Sequence, residues 1–175
     1  MRSRRLRPAT ALALILAMSS AAWAQWWKQP PPPGGQVVAP GPPAPAGEPL
    51  RVTVWSDKAV YRIGDAVRFG LRVNRDAYVT LVNFGTSGNA AILYPNSVQP
   101  GHVVRSGRDV VVPSPESGFT LTIRGPAGRE TVRAIATEEP VDIEARDWAA
   151  TLETVRARIA PGKWAESSIT IEVTP

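Results

Sequence analysis

Two apolar runs separated by a glycine-containing loop most constrain how this 175-residue chain can fold. The runs, Tyr78–Asn83 and Ala90–Tyr94, are rich in β-branched and aromatic residues, and Gly85 and Gly88 lie between them. Glycine readily adopts the positive φ that a tight chain reversal requires. In both runs apolar residues occupy adjacent as well as alternate positions, which is typical of strands covered on both faces. The stretch therefore predicts a central β-hairpin.

Alternating apolar and polar residues predict further strands on both sides of this hairpin. They cover Leu50–Trp55, Val67–Val73, Phe119–Arg124 and Ile169–Thr174. Further strands are expected around His102–Arg105 and at Glu130–Thr137, and the apolar run Val110–Val112 precedes Pro113. Residues typical of turns separate these segments. Many short strands with turns between them favour an antiparallel two-sheet sandwich, so we expect a mainly β fold.

One short helix is predicted near the C-terminus. Asp147 can cap its start, because a carboxylate accepts hydrogen bonds from the free N–H groups of the first turn. Four apolar residues then follow at helical spacing and form one stripe: Trp148, Leu152, Val155 and Ile159. Pro161-Gly162 ends the helix.

The first 24 residues have the features of a cleaved export signal. A basic start precedes the apolar run Ala9–Met18, and Ala22-Trp23-Ala24 is a small-residue cleavage site that leaves Gln25 first. The segment holds four of the 20 basic residues and no acids, so the mature chain carries 16 basic against 15 acidic residues. We therefore expect a soluble periplasmic or secreted protein without a transmembrane segment after cleavage, and no attraction to nucleic acid.

Composition separates the mature chain into a linker, residues 25–49, and a folded domain, residues 50–175. The stretch Pro30–Pro49 holds nine of the 18 prolines and four glycines, so it cannot build a core. It is a spacer or a proline-rich ligand for a partner domain. The chain contains no cysteine, which excludes disulfides and lipid attachment through cysteine. Burial of a core must therefore stabilise the domain.

Few residues in this sequence can carry out a reaction. His102 is the single histidine, so a multi-histidine metal site is excluded by count, and no nucleotide-binding glycine motif occurs. Paired acids could serve a glycosidase or bind calcium, but their spacing matches no calcium loop and favours a solvated acidic segment. These acids are Glu138, Glu139, Asp142, Glu144 and Asp147. We predict no catalytic residues, no cofactor and no metal.

Tryptophans and arginines are the candidate contact residues. Trp55 and Trp164 could stack on a sugar or anchor a partner, although cover by the rest of the fold is the alternative. Trp26 and Trp27 precede the spacer and could form a tethered aromatic hook for a partner or a membrane surface. Five arginines could form a basic face for an anionic glycan or lipid if the strands that carry them share one sheet. The alternative is that these arginines are simply solvated. They are Arg51, Arg68, Arg72, Arg124 and Arg133.

Several short motifs, in order, resemble a bacterial family of exported or envelope domains of unknown function, the domain of unknown function 4384 type. The motifs are Tyr61-x-x-Gly64-Asp65-x-Val67-x-Phe69, Ala77-Tyr78-Val79, Leu93-Tyr94-Pro95-Asn96, Val112-Pro113 and Gly125-Pro126-x-Gly128-x-Glu130. The resemblance covers about residues 52–137. It implies an immunoglobulin-like sandwich and brings no catalytic residues. Residues 141–175 lie outside the pattern, so whether the last strand joins the same sheet is open.

These observations favour a non-catalytic module of the bacterial envelope that acts through protein contacts. A carbohydrate-binding or envelope-polymer-binding module is the alternative, and a hydrolase is a third hypothesis. An apolar patch or a free strand edge would favour a protein partner, whereas an aromatic platform in a groove would favour a glycan.

Overall fold

The computed structural model describes residues 47–175. The predicted leader, residues 1–24, and the linker up to residue 46 lie outside the described residues, as do Trp26 and Trp27. What the sequence predicts for them stays a prediction.

Eleven strands and one α-helix make up the described part of the chain. The strands are β1 Val52–Ser56, β2 Val60–Arg62, β3 Ala66–Val67, β4 Phe69–Val73, β5 Ala77–Phe84, β6 Ala90–Tyr94, β7 Val103–Val104, β8 Val110–Val112, β9 Leu121–Thr122, β10 Gly128–Thr137 and β11 Trp164–Thr174. A 3₁₀ turn, Ala145–Asp147, leads into the helix α1, Trp148–Arg158. The predicted hairpin is β5–β6, and Gly88 in its loop has φ +78°.

The strands form two main sheets and a two-stranded pair. The small sheet has the order β1-β4-β8, and the large sheet has the order β2-β11-β10-β5-β6, with β7 also paired to β5. The two-stranded pair is β3-β9. Every pairing is antiparallel except that of β2 with β11, which is parallel. Val60–Arg62 adds to the sheet as a short edge strand, and a turn at Ile63 and Gly64 follows it.

A single apolar core lies between the small and large sheets. Alternate residues of β1 and β4 enter it from one side, including Val54 and Leu71. Val79, Leu81 and Val132 enter it from the large sheet. Each such side chain contributes roughly 1.5–3 kcal/mol through burial. The mainly β sandwich with one short C-terminal helix is therefore confirmed.

The other face of the large sheet is covered by α1. Val82 and Ile135, which point away from the sandwich core, pack in one cluster with Trp148, Val155 and Ile159. The predicted helical stripe is thus the buried face of α1. The expectation of a hairpin covered on both faces holds at Leu81 and Val82 of β5, which are buried on opposite faces of the sheet. It is wrong for β6, where Ala91 and Ile92 are exposed.

The predicted cap of α1 is present. The Asp147 carboxylate accepts a hydrogen bond from the Ala150 N–H at 3.0 Å. The helix ends at Arg158, and Ile159 is already extended, with φ −116° and ψ 126°. It therefore ends slightly before the predicted stop at Pro161-Gly162.

The last strand belongs to the same sheet as the family-like core. β11 begins at Trp164, earlier than predicted, and pairs with β10 from Thr137↔Trp164 to Gly128↔Val173. It lies between β10 and β2, so a C-terminal segment occupies an interior position of the large sheet.

Candidate functional site

Trp55 lies on the outer face of the small sheet. It stands opposite Gly70 on β4, and a Cβ at that glycine would overlap the indole. The Arg72 guanidinium lies 5.9 Å from the ring centroid and bonds the Asp109 carboxylate through two contacts of 2.5 and 2.7 Å. The indole is therefore half-buried against the sheet and bordered by an ion pair.

Trp164 opens β11 and is also half-buried. Its side chain packs against the cluster beneath α1, and the Arg156 guanidinium lies 5.8 Å from its ring centroid. It also lines a shallow groove of about 480 Å³ between β1 and β11. The structure thus places Trp55 and Trp164 on different elements and does not bring them together in one groove.

The five arginines do not share one sheet, so a common basic face across them is not formed. Arg72 lies on the small sheet, whereas Arg133 lies on the large sheet beside α1. Arg133 bonds the Glu166 carboxylate at 3.1 Å and lies 5.6 Å from the Phe84 ring centroid. Arg51 pairs with Glu48 at 2.6 Å.

The acidic residues of the segment from Glu138 to Asp147 make separate interactions and do not form one cluster. Glu138 pairs with Arg75 at 2.9 Å and with Lys163 at 3.8 Å, and Asp147 caps α1. Within residues 47–175, no group of three or more histidine, cysteine or acidic residues is placed to hold a metal ion.

A polar cleft of about 400 Å³ opens where α1 leaves part of the large sheet uncovered. Tyr78 and Thr80 of β5 lie in its floor, directly opposite Thr137 and Ile135 of β10. These positions share the face of Val82, because side chains on one strand alternate between faces. The floor is therefore a patch of hydroxyl-bearing side chains beside the apolar surface that α1 covers.

Charged and titratable side chains stand around this floor. His102 borders β5, and its carbonyl accepts a hydrogen bond from the Val79 N–H at 2.9 Å. Asp142, on the segment after β10, and Arg158, the last residue of α1, line the other side. Within the described part of the chain, no hydrogen bond or ion pair engages the His102, Asp142 or Arg158 side chains.

The cleft brings His102 and Asp142 to one site, but no serine lines it. Its side chains can donate and accept several hydrogen bonds at once, and the geometry shows no histidine held against a nucleophile. Sequence reasoning singled out His102 and Asp142 but missed Tyr78, Thr80 and Arg158. One pattern could have indicated the floor of the cleft. Tyr78, Thr80 and Val82 occupy alternate positions of one strand, so their side chains lie on the same face of the sheet.

One edge of the large sheet is apolar. β6 and β7 both pair with the same side of β5, so the segment from Ala90 to Val104 forms this edge. Three large apolar side chains on it are well exposed, namely Ile92 at 41%, Val98 at 51% and Val103 at 41%. We call this segment the β6–β7 edge.

Fold and site together define a β-sandwich module with a polar cleft on one sheet face and an apolar sheet edge. Residues 60–140 match the family model of a domain of unknown function (DUF4384), which confirms the resemblance predicted from the motifs. The match ends before α1 and β11, so it leaves out β11, an interior strand of the large sheet.

No curated protein matches the chain. A solved structure, that of Spo0M, a sporulation control protein from Bacillus subtilis, matches with 14% identity and a TM-score of 0.40. The match covers 73% of this chain and 50% of that one, so the chain spans about half the length of that protein. No helix within residues 47–175 is long and apolar enough to cross a membrane.

Proposed function

We propose that this chain is an exported, non-catalytic module of the bacterial envelope that binds another protein through the β6–β7 edge. The observation that carries the proposal is the exposure of Ile92, Val98 and Val103 along an edge where β6 pairs with no further strand of residues 47–175. Exposed apolar groups on an edge strand favour pairing with another chain. The basic and apolar leader supports export.

The backbone of β6 offers hydrogen-bonding groups to a partner strand. The Gly85 N–H donates to the Asn89 carbonyl at 2.9 Å, and bonded and non-bonded pairs alternate along an antiparallel ladder. Phe84↔Ala90 and Val82↔Ile92 are then non-bonded pairs, so Ala90 and Ile92 direct their N–H and C=O groups away from β5. A partner segment can add to the sheet at these residues.

The short run of outward-directed backbone groups on β6 limits the length of the partner segment that can pair with it. The pairing of β5 with β6 shifts by one residue at Leu93, and Pro95 follows the strand. Both features interrupt strand addition. The edge therefore suits a short extended segment whose apolar side chain contacts Ile92.

The opposite edge of the sheet is less suited to a partner. β2 has three residues, and one of them is Arg62. Its exposed apolar residues include Val60, at 51%. Charged residues on an edge discourage pairing with other chains. Val60 therefore supplies a control on the other edge, since it is 51% exposed against 41% for Ile92.

Capture from native envelope extract with the mature chain, beginning at Gln25, tests the proposal. Ile92→Lys should abolish capture of the partner, because it places a charge on the apolar edge, whereas Val60→Lys should leave capture unchanged. The Ala90 and Ile92 amides should also exchange more slowly in the complex. Equal capture by both variants, or loss with Val60→Lys alone, would refute the β6–β7 edge as the binding surface.

A further inference from the structure

We infer that the polar cleft binds a short, uncharged saccharide segment. The alternative of glycan binding was predicted for tryptophan and arginine side chains, whereas the structure favours the cleft floored by Tyr78 and Thr80. The inference rests on the floor of the cleft and not on the exposed apolar side chains of the β6–β7 edge, although His102 both lines the cleft and lies in that edge.

The first argument is the number of unengaged polar groups. Tyr78, Thr80, His102, Asp142 and Arg158 all line the cleft, and within residues 47–175 none of their side chains has a protein partner. Unpaired groups also occur elsewhere on the surface, so the feature particular to the cleft is that five of them line one concave site. Convergent polar groups around a concave site are the usual basis of ligand orientation.

The second argument is the balance of charge. Arg158 and Asp142 carry opposite formal charges, and no salt bridge joins them. The formal charges of Arg158 and Asp142 therefore cancel. A multiply charged anion would gain from Arg158 but meet the Asp142 carboxylate, so the pair favours an uncharged ligand.

The third argument is the match of donors and acceptors. A sugar hydroxyl donates and accepts at once. The cleft supplies a donor-only guanidinium, an acceptor-only carboxylate and two hydroxyls that can do both. The Tyr78 ring, which is half-buried, provides apolar surface for the C–H face of a sugar ring. The volume of about 400 Å³ suits a small ligand.

Titration of the mature chain with cellotetraose and maltotetraose, followed by NMR chemical shifts, tests the inference, with tetragalacturonate as the anionic comparison. At least one uncharged oligomer should give saturable shifts confined to cleft residues. Asp142→Asn and Thr80→Val should each weaken binding roughly tenfold, the loss expected for a hydrogen bond to a ligand in a partly enclosed site.

Two controls separate the cleft from other surfaces. Thr170→Val removes an exposed hydroxyl on β11, and Trp55→Phe alters the indole on the small sheet; both should leave the affinity unchanged. The inference is overturned by the absence of saturable cleft shifts with both uncharged oligomers. Tighter binding of tetragalacturonate, or loss of binding with Trp55→Phe but not Thr80→Val, would overturn it as well.

Discussion

Tyr61 shows what the family-like motif residues do. Its side chain is buried, and its hydroxyl donates to the Asp57 carboxylate at 2.5 Å and accepts from the Lys58 N–H at 3.0 Å. The same carboxylate accepts from the Arg68 N–H at 3.1 Å, so Asp57 links the phenol to the segment between β3 and β4. Burial and the neighbouring Asp57 raise the pKa of Tyr61 well above its usual value. The motif residue therefore connects the two sheets.

Replacing Tyr61 with phenylalanine should destabilise the domain by about 1–3 kcal/mol. The aromatic ring stays in the core, but Asp57 and the Lys58 N–H each lose a partner in a partly buried place. Denaturant unfolding measures the loss. Tyr78→Phe is the matched control, since its hydroxyl has no protein partner among the described residues. Equal stability of both variants would contradict the role of the Tyr61 hydroxyl.

Asp76 should make the stability of the domain depend on acid pH. The Ser106 N–H, at 2.7 Å, and then the Arg105 guanidinium, at 2.6 Å, lower its pKa below the ordinary 3.8. Because the folded pKa is the lower one, the contribution is fully present above pH 3.8 and is lost as pH falls through the folded value.

Unfolding measured across this acid range should show a shallower loss of stability in Asp76→Asn than in the wild type. NMR titration of the folded chain should give a carboxyl pKa below 3.8 for Asp76. A folded pKa at or above that value would contradict the assignment.

The strand β4 depends on a glycine for its fit to β1. Gly70 stands opposite Trp55, and the indole occupies the space above it. A side chain of any size at this position would displace the indole from the outer face of the small sheet. Glycine is required at position 70 because the indole of Trp55 approaches the backbone closely, and not because the chain turns there.

Gly70→Ala should therefore destabilise the domain by about 1–3 kcal/mol through overpacking, although alanine usually suits a strand better than glycine. Thermal unfolding measures the change. Gly101→Ala is the control, since its Cβ would meet only the Tyr94 hydroxyl at an ordinary 3.5 Å. Unchanged stability of Gly70→Ala would show that the indole moves aside at no cost.

The whole domain has three layers, namely the small sheet, the large sheet and α1. The family match ends at residue 140, yet the large sheet is completed by β11, between β10 and β2. The cluster under α1 covers the second face of that sheet. The unit that folds should therefore extend beyond the family match.

A chain ending at residue 140 should not fold, whereas a chain of residues 47–175 should. Removing residues 141–175 leaves one edge of β10 unpaired and exposes Val82 and Ile135. Dispersion of amide resonances and a cooperative thermal transition measure folding. A cooperative transition in the shorter chain would show that β11 is dispensable.

Elements that depend on near neighbours were predictable from sequence. Val52 and Val54 alternate into the core, and Asp147 caps the helix it precedes, because both relations are set within a few residues. The placement of Arg72 and Arg133 on different sheets was not predictable, since strand order depends on contacts between remote segments. The cleft was missed for the same reason. Its floor lies on β5, while Arg158 comes from the end of α1.

Side-chain periodicity and turn residues were sufficient to establish the β-rich class, the hairpin β5–β6 and the helix with its buried stripe, because each follows from the short-range geometry of the backbone. Folding in three dimensions decided that β11 enters the interior of the large sheet and that α1 leaves Tyr78 and Thr80 uncovered. Hydrogen bonding between strands and packing between layers act over distances in sequence that no local pattern encodes.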